Sequence, residues 1–102
     1  MDKLYLMAKG HTLRFPNGNE PFQIATRILE ECGEVAQEVN RLEKSGIKQQ
    51  KMGDASKDDL ANEIRQAIMC LVQLAQYYSC EEELELSIFR SIEHLKNDGL
   101  IV

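Results

Sequence analysis

"FQIATRILEECGEVAQEVNRL", residues 22–42, decides the fold. Its apolar residues Phe22, Ala25, Ile28, Leu29, Cys32, Val35, Ala36, Val39 and Leu42 recur at three and four residues, the period of an α-helix. Asn19 or Glu20 can cap that helix, and Pro21 suits its first turn, where a missing N–H goes unnoticed. Gly46 ends the run.

Working outward, "GIKQQKMGDA" (residues 46–55) reads as a polar connection. Ser56 with Asp59 three positions on is a capping-box variant, and it predicts a second long helix reaching about Ser79. The middle of that helix, "AIMCLVQLA" (residues 67–75), is apolar on nearly every side, so one neighbour cannot cover it. A last helix is expected from about Cys80 to the stop at "NDG" (residues 97–99). Ahead of the first long helix, residues 2–9 form a short amphipathic opening. "GHTLRFPNGNEP" (residues 10–21), with two glycines and two prolines, is expected to be largely irregular. The expected fold is all-α in a single domain, residues 1–102. It is an antiparallel helical hairpin with flanking shorter helices, completing a four-helix-type bundle when copies associate.

Composition narrows the function. At 102 residues, 43% hydrophobic and 28% charged, the chain has the make-up of a folded soluble domain without a membrane-spanning run. Met1-Asp2-Lys3 and a short apolar run without a cleavage site do not make a signal peptide, so a cytoplasmic location is expected. A net charge of −5 argues against a protein that grips a nucleic acid polymer. Cys32, Cys70 and Cys80 lack metal-type spacing and read as reduced thiols, the first two on buried faces.

The acids carry the chemistry. At about 100° per residue, Glu31, Glu34 and Glu38 point within about 60° of one another and flank the apolar stripe rather than oppose it. On an arbitrary helix such acids are a solvated face, with Arg27 and Arg41 as weak surface partners. On the second helix, however, Asp59, Glu63 and Gln66 form a similar strip along the apolar margin. Helices joined by a short connection pack antiparallel, so the strips can meet, with an axial offset of about 6 Å taken up by the connection. Carboxylates crowded on an apolar seam repel one another and lose hydration unless a cation neutralises them. All-oxygen ligands select Mg²⁺ or Mn²⁺, which take phosphate oxygens as further ligands.

At these residues the chain resembles a known family. "LEECGEV" (residues 29–35) and "EIRQAIMCLVQLA" (residues 63–75) are similar to the MazG-like all-α nucleoside triphosphate pyrophosphohydrolases, over about residues 13–80. The resemblance implies a Mg²⁺-dependent hydrolase that cleaves NTPs or dNTPs to the monophosphate and pyrophosphate, working as a homodimer or homotetramer. It also implies a metal held by a Glu-x-x-Glu pair, matched by Glu31 and Glu34, and by a Glu-x-x-Asp pair whose lead acid is matched by Glu63. The fourth position departs from the pattern. Gln66 stands where the family has Asp; its carbonyl can ligate a hard cation but supplies no charge.

On that reading Glu30 or Glu38 is the candidate general base, and spacing does not choose between them. Lys48 and Lys51, in the polar connection, can meet the outer phosphates, and Arg14 and Phe15 can edge or stack on the base. A di-iron bundle is disfavoured because neither His11 nor His94 follows a glutamate by three. The alternative function is a non-catalytic helical module that binds nucleotide or serves as an oligomeric interaction partner, its metal site degraded at Gln66.

Overall fold

The computed structural model describes residues 1–43 and 56–102. Four helices account for nearly all of them: α1 (Asp2–Arg14), α2 (Pro21–Leu42), α3 (Lys57–Tyr77) and α4 (Glu81–Asn97). No strand occurs among the described residues, and no helix among them is long and apolar enough to cross a membrane. The polar connection with Lys48 and Lys51 lies outside the described residues.

Each helix begins and stops for a local reason. At α2, Glu20 and Gln23 exchange side-chain bonds with each other's backbone N–H groups, and Pro21 fills the first helical position. At α3, Ser56 Oγ accepts from the Asp59 N–H at 3.1 Å, while Asp58 and Asp59 sit where the helix dipole favours negative charge. After α3 the chain reverses through Ser79 in the left-handed region (φ 52°), with the Cys80 N–H closing onto the Ala75 carbonyl at 2.9 Å. Gly99 (φ 74°) ends α4 in the same manner, as the stop signal predicts.

The first helix corrects the sequence reading. It continues through Gly10 to Arg14 instead of ending near residue 9. Ala8 is fully buried, and Thr12 Oγ1 donates to the Ala8 carbonyl at 3.1 Å, so packing outweighs the roughly 1 kcal/mol that a mid-helix glycine costs. The stop falls at Phe15 because a residue before proline avoids helical geometry.

Packing centres on α3, which lies against α2 along most of its length, against α1 on another side, and only lightly against α4. Cross-links run from early α2 to late α3 and from late α2 to early α3, so the hairpin is antiparallel. Tyr77 Oη donates to Glu20 at 3.4 Å, Arg27 donates to Gln73 at 3.4 Å, and Glu63 meets Glu31 and Glu34. The same stepping brings Gln66 level with Glu31.

Among the described residues the buried apolar set is Ala8, Ile24, Ala67, Cys70, Val72 and Ala75, and only Ile24 among their larger side chains is wholly enclosed. The face of α2 that meets α3 carries Ile24, Arg27, Ile28, Glu31, Val35 and Glu38. Several residues of the expected core stripe, Phe22, Leu29 and Cys32 among them, are exposed. Period alone identifies two adjacent apolar arcs as one stripe; only the position of α3 separates them.

Candidate metal centre

Two turns of α2 and one residue of α3 build the site. Glu31 and Glu34, three apart on α2, share a side of the helix, and Glu63 approaches from α3. One carboxylate oxygen from each lies within 4.8 Å of the others. Glu31 and Glu63 are half-buried, and Glu34 is exposed at the mouth. The Oε2 atoms of Glu31 and Glu63 are buried without a hydrogen-bond partner.

The electrostatics record the crowding. Burial, then the neighbouring Glu34 and Glu30 charges, push the Glu31 carboxyl above its usual range, against a smaller opposing pull from Arg27. Glu63 is pushed up chiefly by the adjoining Glu34 carboxyl, then by burial and by the charges of Glu34, Glu31 and Glu38. Without a cation these acids therefore hold protons more readily than free carboxylates.

Both proposed bases lie beside this cluster, in different settings. Glu30 is exposed on the solvent side of Glu31. Glu38 is 8% exposed and paired with Arg41 at 2.6 Å through Oε1, while its Oε2 is buried and unpartnered. The pairing of Arg41 with Glu38 matches the sequence reading, but in a buried setting where a surface pair was expected. Gln66 is half-buried on α3, one turn after Glu63. Asp59 is exposed, one turn before Glu63, with its N–H in the helix cap.

A cleft of about 230 Å³ opens next to Glu31. Its walls include His11 and Phe15 from the end of α1, Asn19 from the loop, Arg27 from α2, and Cys70 and Gln73 from α3. The His11 and Phe15 rings stand 6.4 Å apart, tilted by 33°. Phe15 lies at the rim of the cleft, whereas Arg14 is exposed and is not part of the wall.

The solvated-face alternative would leave Arg27 as a weak exposed partner of Glu31, whereas the structure half-buries it among other partners. Its guanidinium donates to the Gly18 carbonyl, to Asn19 Oδ1 at 3.0 Å and to Gln73 Oε1 at 3.4 Å. Gln73, only 6% exposed, passes the chain on by donating to Thr12 Oγ1 at 3.0 Å. Arg27, Asn19, Gln73 and His11 were missed because they are far apart in sequence and belong to no motif. The one usable signal was a glutamine inside the otherwise apolar run of residues 67–75, since a buried amide needs partners.

The fold and the site together define an all-helical protein with a three-carboxylate centre between two antiparallel helices. No protein-family model, no curated protein and no solved structure matches the chain.

Proposed function

We propose that the protein is a Mg²⁺-dependent nucleoside triphosphate pyrophosphohydrolase that also accepts Mn²⁺, and that it acts as a homodimer or homotetramer. The observation that carries the reading is the convergence of Glu31, Glu34 and Glu63 with two buried oxygens lacking partners. An all-oxygen donor set with unspent acceptor capacity fits a hard cation, and the adjoining ring-lined cleft fits a nucleobase.

In this mechanism Glu31, Glu34 and Glu63 would hold the cation, and the Gln66 carbonyl would be a neutral fourth donor. A bound metal would supply charge neutralisation for the phosphate oxygens and for a nearby water. Phe15 and His11 bracket the base, and Asn19 and Gln73 offer amide groups to its edge. Glu38 or Glu30 takes a proton from water as the water oxygen bonds to phosphorus. The α–β phosphoanhydride bond breaks, and the products are the monophosphate and pyrophosphate.

The purified chain, assayed against the common NTPs and dNTPs with each metal, should release pyrophosphate from at least one, and Glu34→Gln should abolish it. Absence of turnover together with absence of metal-dependent nucleotide binding by calorimetry rejects the reading. Gln66 favours one alternative, a module that binds nucleotide without turnover: binding that persists in the absence of any hydrolysis selects it.

A further inference from the structure

The side of α3 turned away from the acid cluster carries a groove that hydrolysis of a nucleotide does not use. At about 100° per residue, Ala61, Ile64, Arg65 and Ile68 centre about 180° from Glu63 and Gln66. With Lys3, Leu4 and Met7, from the first two turns of α1, they border a space of about 370 Å³. That volume lies within the range of small-molecule sites.

The lining is of two kinds. Leu4, Met7, Ala61, Ile64 and Ile68 are apolar, and the other two residues, Lys3 and Arg65, are cations with long aliphatic stems. Among the described residues no carboxylate, hydroxyl or amide side chain lines the groove. In a chain with 17 acidic residues against 12 basic ones, this is a local reversal of the overall charge. Lys3 and Arg65 are exposed, and neither has an ion-pair partner among the described residues. Ile64 is 41% exposed, although isoleucine is one of the residue types most often buried.

We propose that this groove binds a single-chain fatty acid, its alkyl chain on the five apolar residues and its carboxylate met by Lys3 and Arg65. A lining without neutral hydrogen-bonding side chains offers nothing to the edge of a base or the hydroxyls of a sugar, so the body of the ligand is hydrocarbon. Each methylene withdrawn from water strengthens binding roughly fourfold. The two cations set the sign of the head group, and a guanidinium matches the two oxygens of a carboxylate. The net charge of −5 repels a phosphate dianion more than a carboxylate. Size selects a small ligand over a protein, since a protein interface takes about 20–30 residues a side and this groove offers seven. The connection of residues 44–55, with three lysines against one aspartate, has the same sign as the groove. The acid cluster lies on the other side of α3, so this inference stands whether or not the protein hydrolyses nucleotides.

A methyl NMR titration with decanoate, below its micellar concentration, tests it at Leu4, Met7, Ile64 and Ile68. Decanoate should shift these signals saturably. Butyrate, which keeps the head group and shortens the chain, should bind more than tenfold more weakly, as should decyltrimethylammonium, which keeps the chain and reverses the charge. Replacing both cations, Lys3→Gln with Arg65→Gln, should weaken decanoate roughly tenfold and leave the ammonium amphiphile no weaker. The Ile24 and Val72 methyl signals report whether that variant stays folded; if it does not, the preference of the wild type between the two amphiphiles decides. Absence of a saturable shift overturns the proposal, as does equal affinity for the two amphiphiles or undiminished decanoate affinity in the folded double variant. Groove signals that move with protein concentration alone also overturn it, because a second copy of the chain then fills the groove.

Discussion

Glu34 on α2 and Glu63 on α3 bring carboxylate oxygens to within 4.8 Å of each other across the helical seam, and Glu34 is the leading cause of the raised Glu63 pKa. Two carboxylates in that relationship bind one proton well or one cation well. The competition between proton and cation is the property of the site most open to measurement.

Stability of the metal-free protein should therefore depend on pH in a defined direction. Glu31 and Glu63 are raised above the ordinary value of 4.5, so their contribution is fully present below that value. It is lost as pH rises through the raised folded-state values. Melting temperature in chelator should fall on going from pH 5 to pH 7, and Glu63→Gln should flatten the dependence. Thermal scans across that range check this; an equal slope in the variant contradicts it.

Added Mg²⁺ should restore stability at neutral pH by binding the folded state alone. At a free concentration of about 100 times Kd the gain is about 2.7 kcal/mol. Glu31→Gln or Glu34→Gln should remove most of the shift, read by the same scans with and without chelator.

Gln66→Asp should raise metal affinity, because it adds a charge one turn from Glu63 and level with Glu31. Calorimetric titration with Mn²⁺ measures the change. A weaker affinity in the variant would mean that the carboxylate adds repulsion without reaching the ion.

Arg27→Ala should destabilise the fold by about 1.5–3 kcal/mol, the range for hydrogen bonds to a charged group, because Gly18, Asn19 and Gln73 lose their donor together. Urea unfolding reads the loss. Phe15→Ala should affect nucleotide binding far more than folding, since the ring is 61% exposed and packs mainly beside His11.

Ile24→Ala should cost about 2–5 kcal/mol, as for other deletions of large enclosed side chains. Ile24 is only 2% exposed, in a core otherwise made of small residues, so few neighbours can relax into the space. The same urea titration checks it.

The helices were legible because their signals are local. The capping pair Ser56 and Asp59, the proline at position 21 and the glycine at position 99 each act within a few residues of the boundary they set. The span of α1 was not legible, since burial of Ala8 against another helix decides it. The acid triad could be read from spacing because a helix fixes Glu31 relative to Glu34, and the hairpin brings Glu63 alongside. The cleft wall could not, as His11, Asn19, Arg27 and Gln73 come from four separate segments and meet only after packing. Leu29 and Cys32 looked like core for the same reason: periodicity reports that a face is apolar and is silent about which molecule covers it.

The Arg27 guanidinium joins the loop after α1 to α2 and, through Gln73, to α3 and α1. One side chain thus fixes both the spacing of three helices and the width of the slot beside Glu31. On the proposed function, ligand preference and mechanical integrity share a fastener. Altering the slot by changing Arg27, Asn19 or Gln73 would loosen the scaffold, whereas Phe15 and His11, at the rim, are the positions where selectivity can drift at little structural cost.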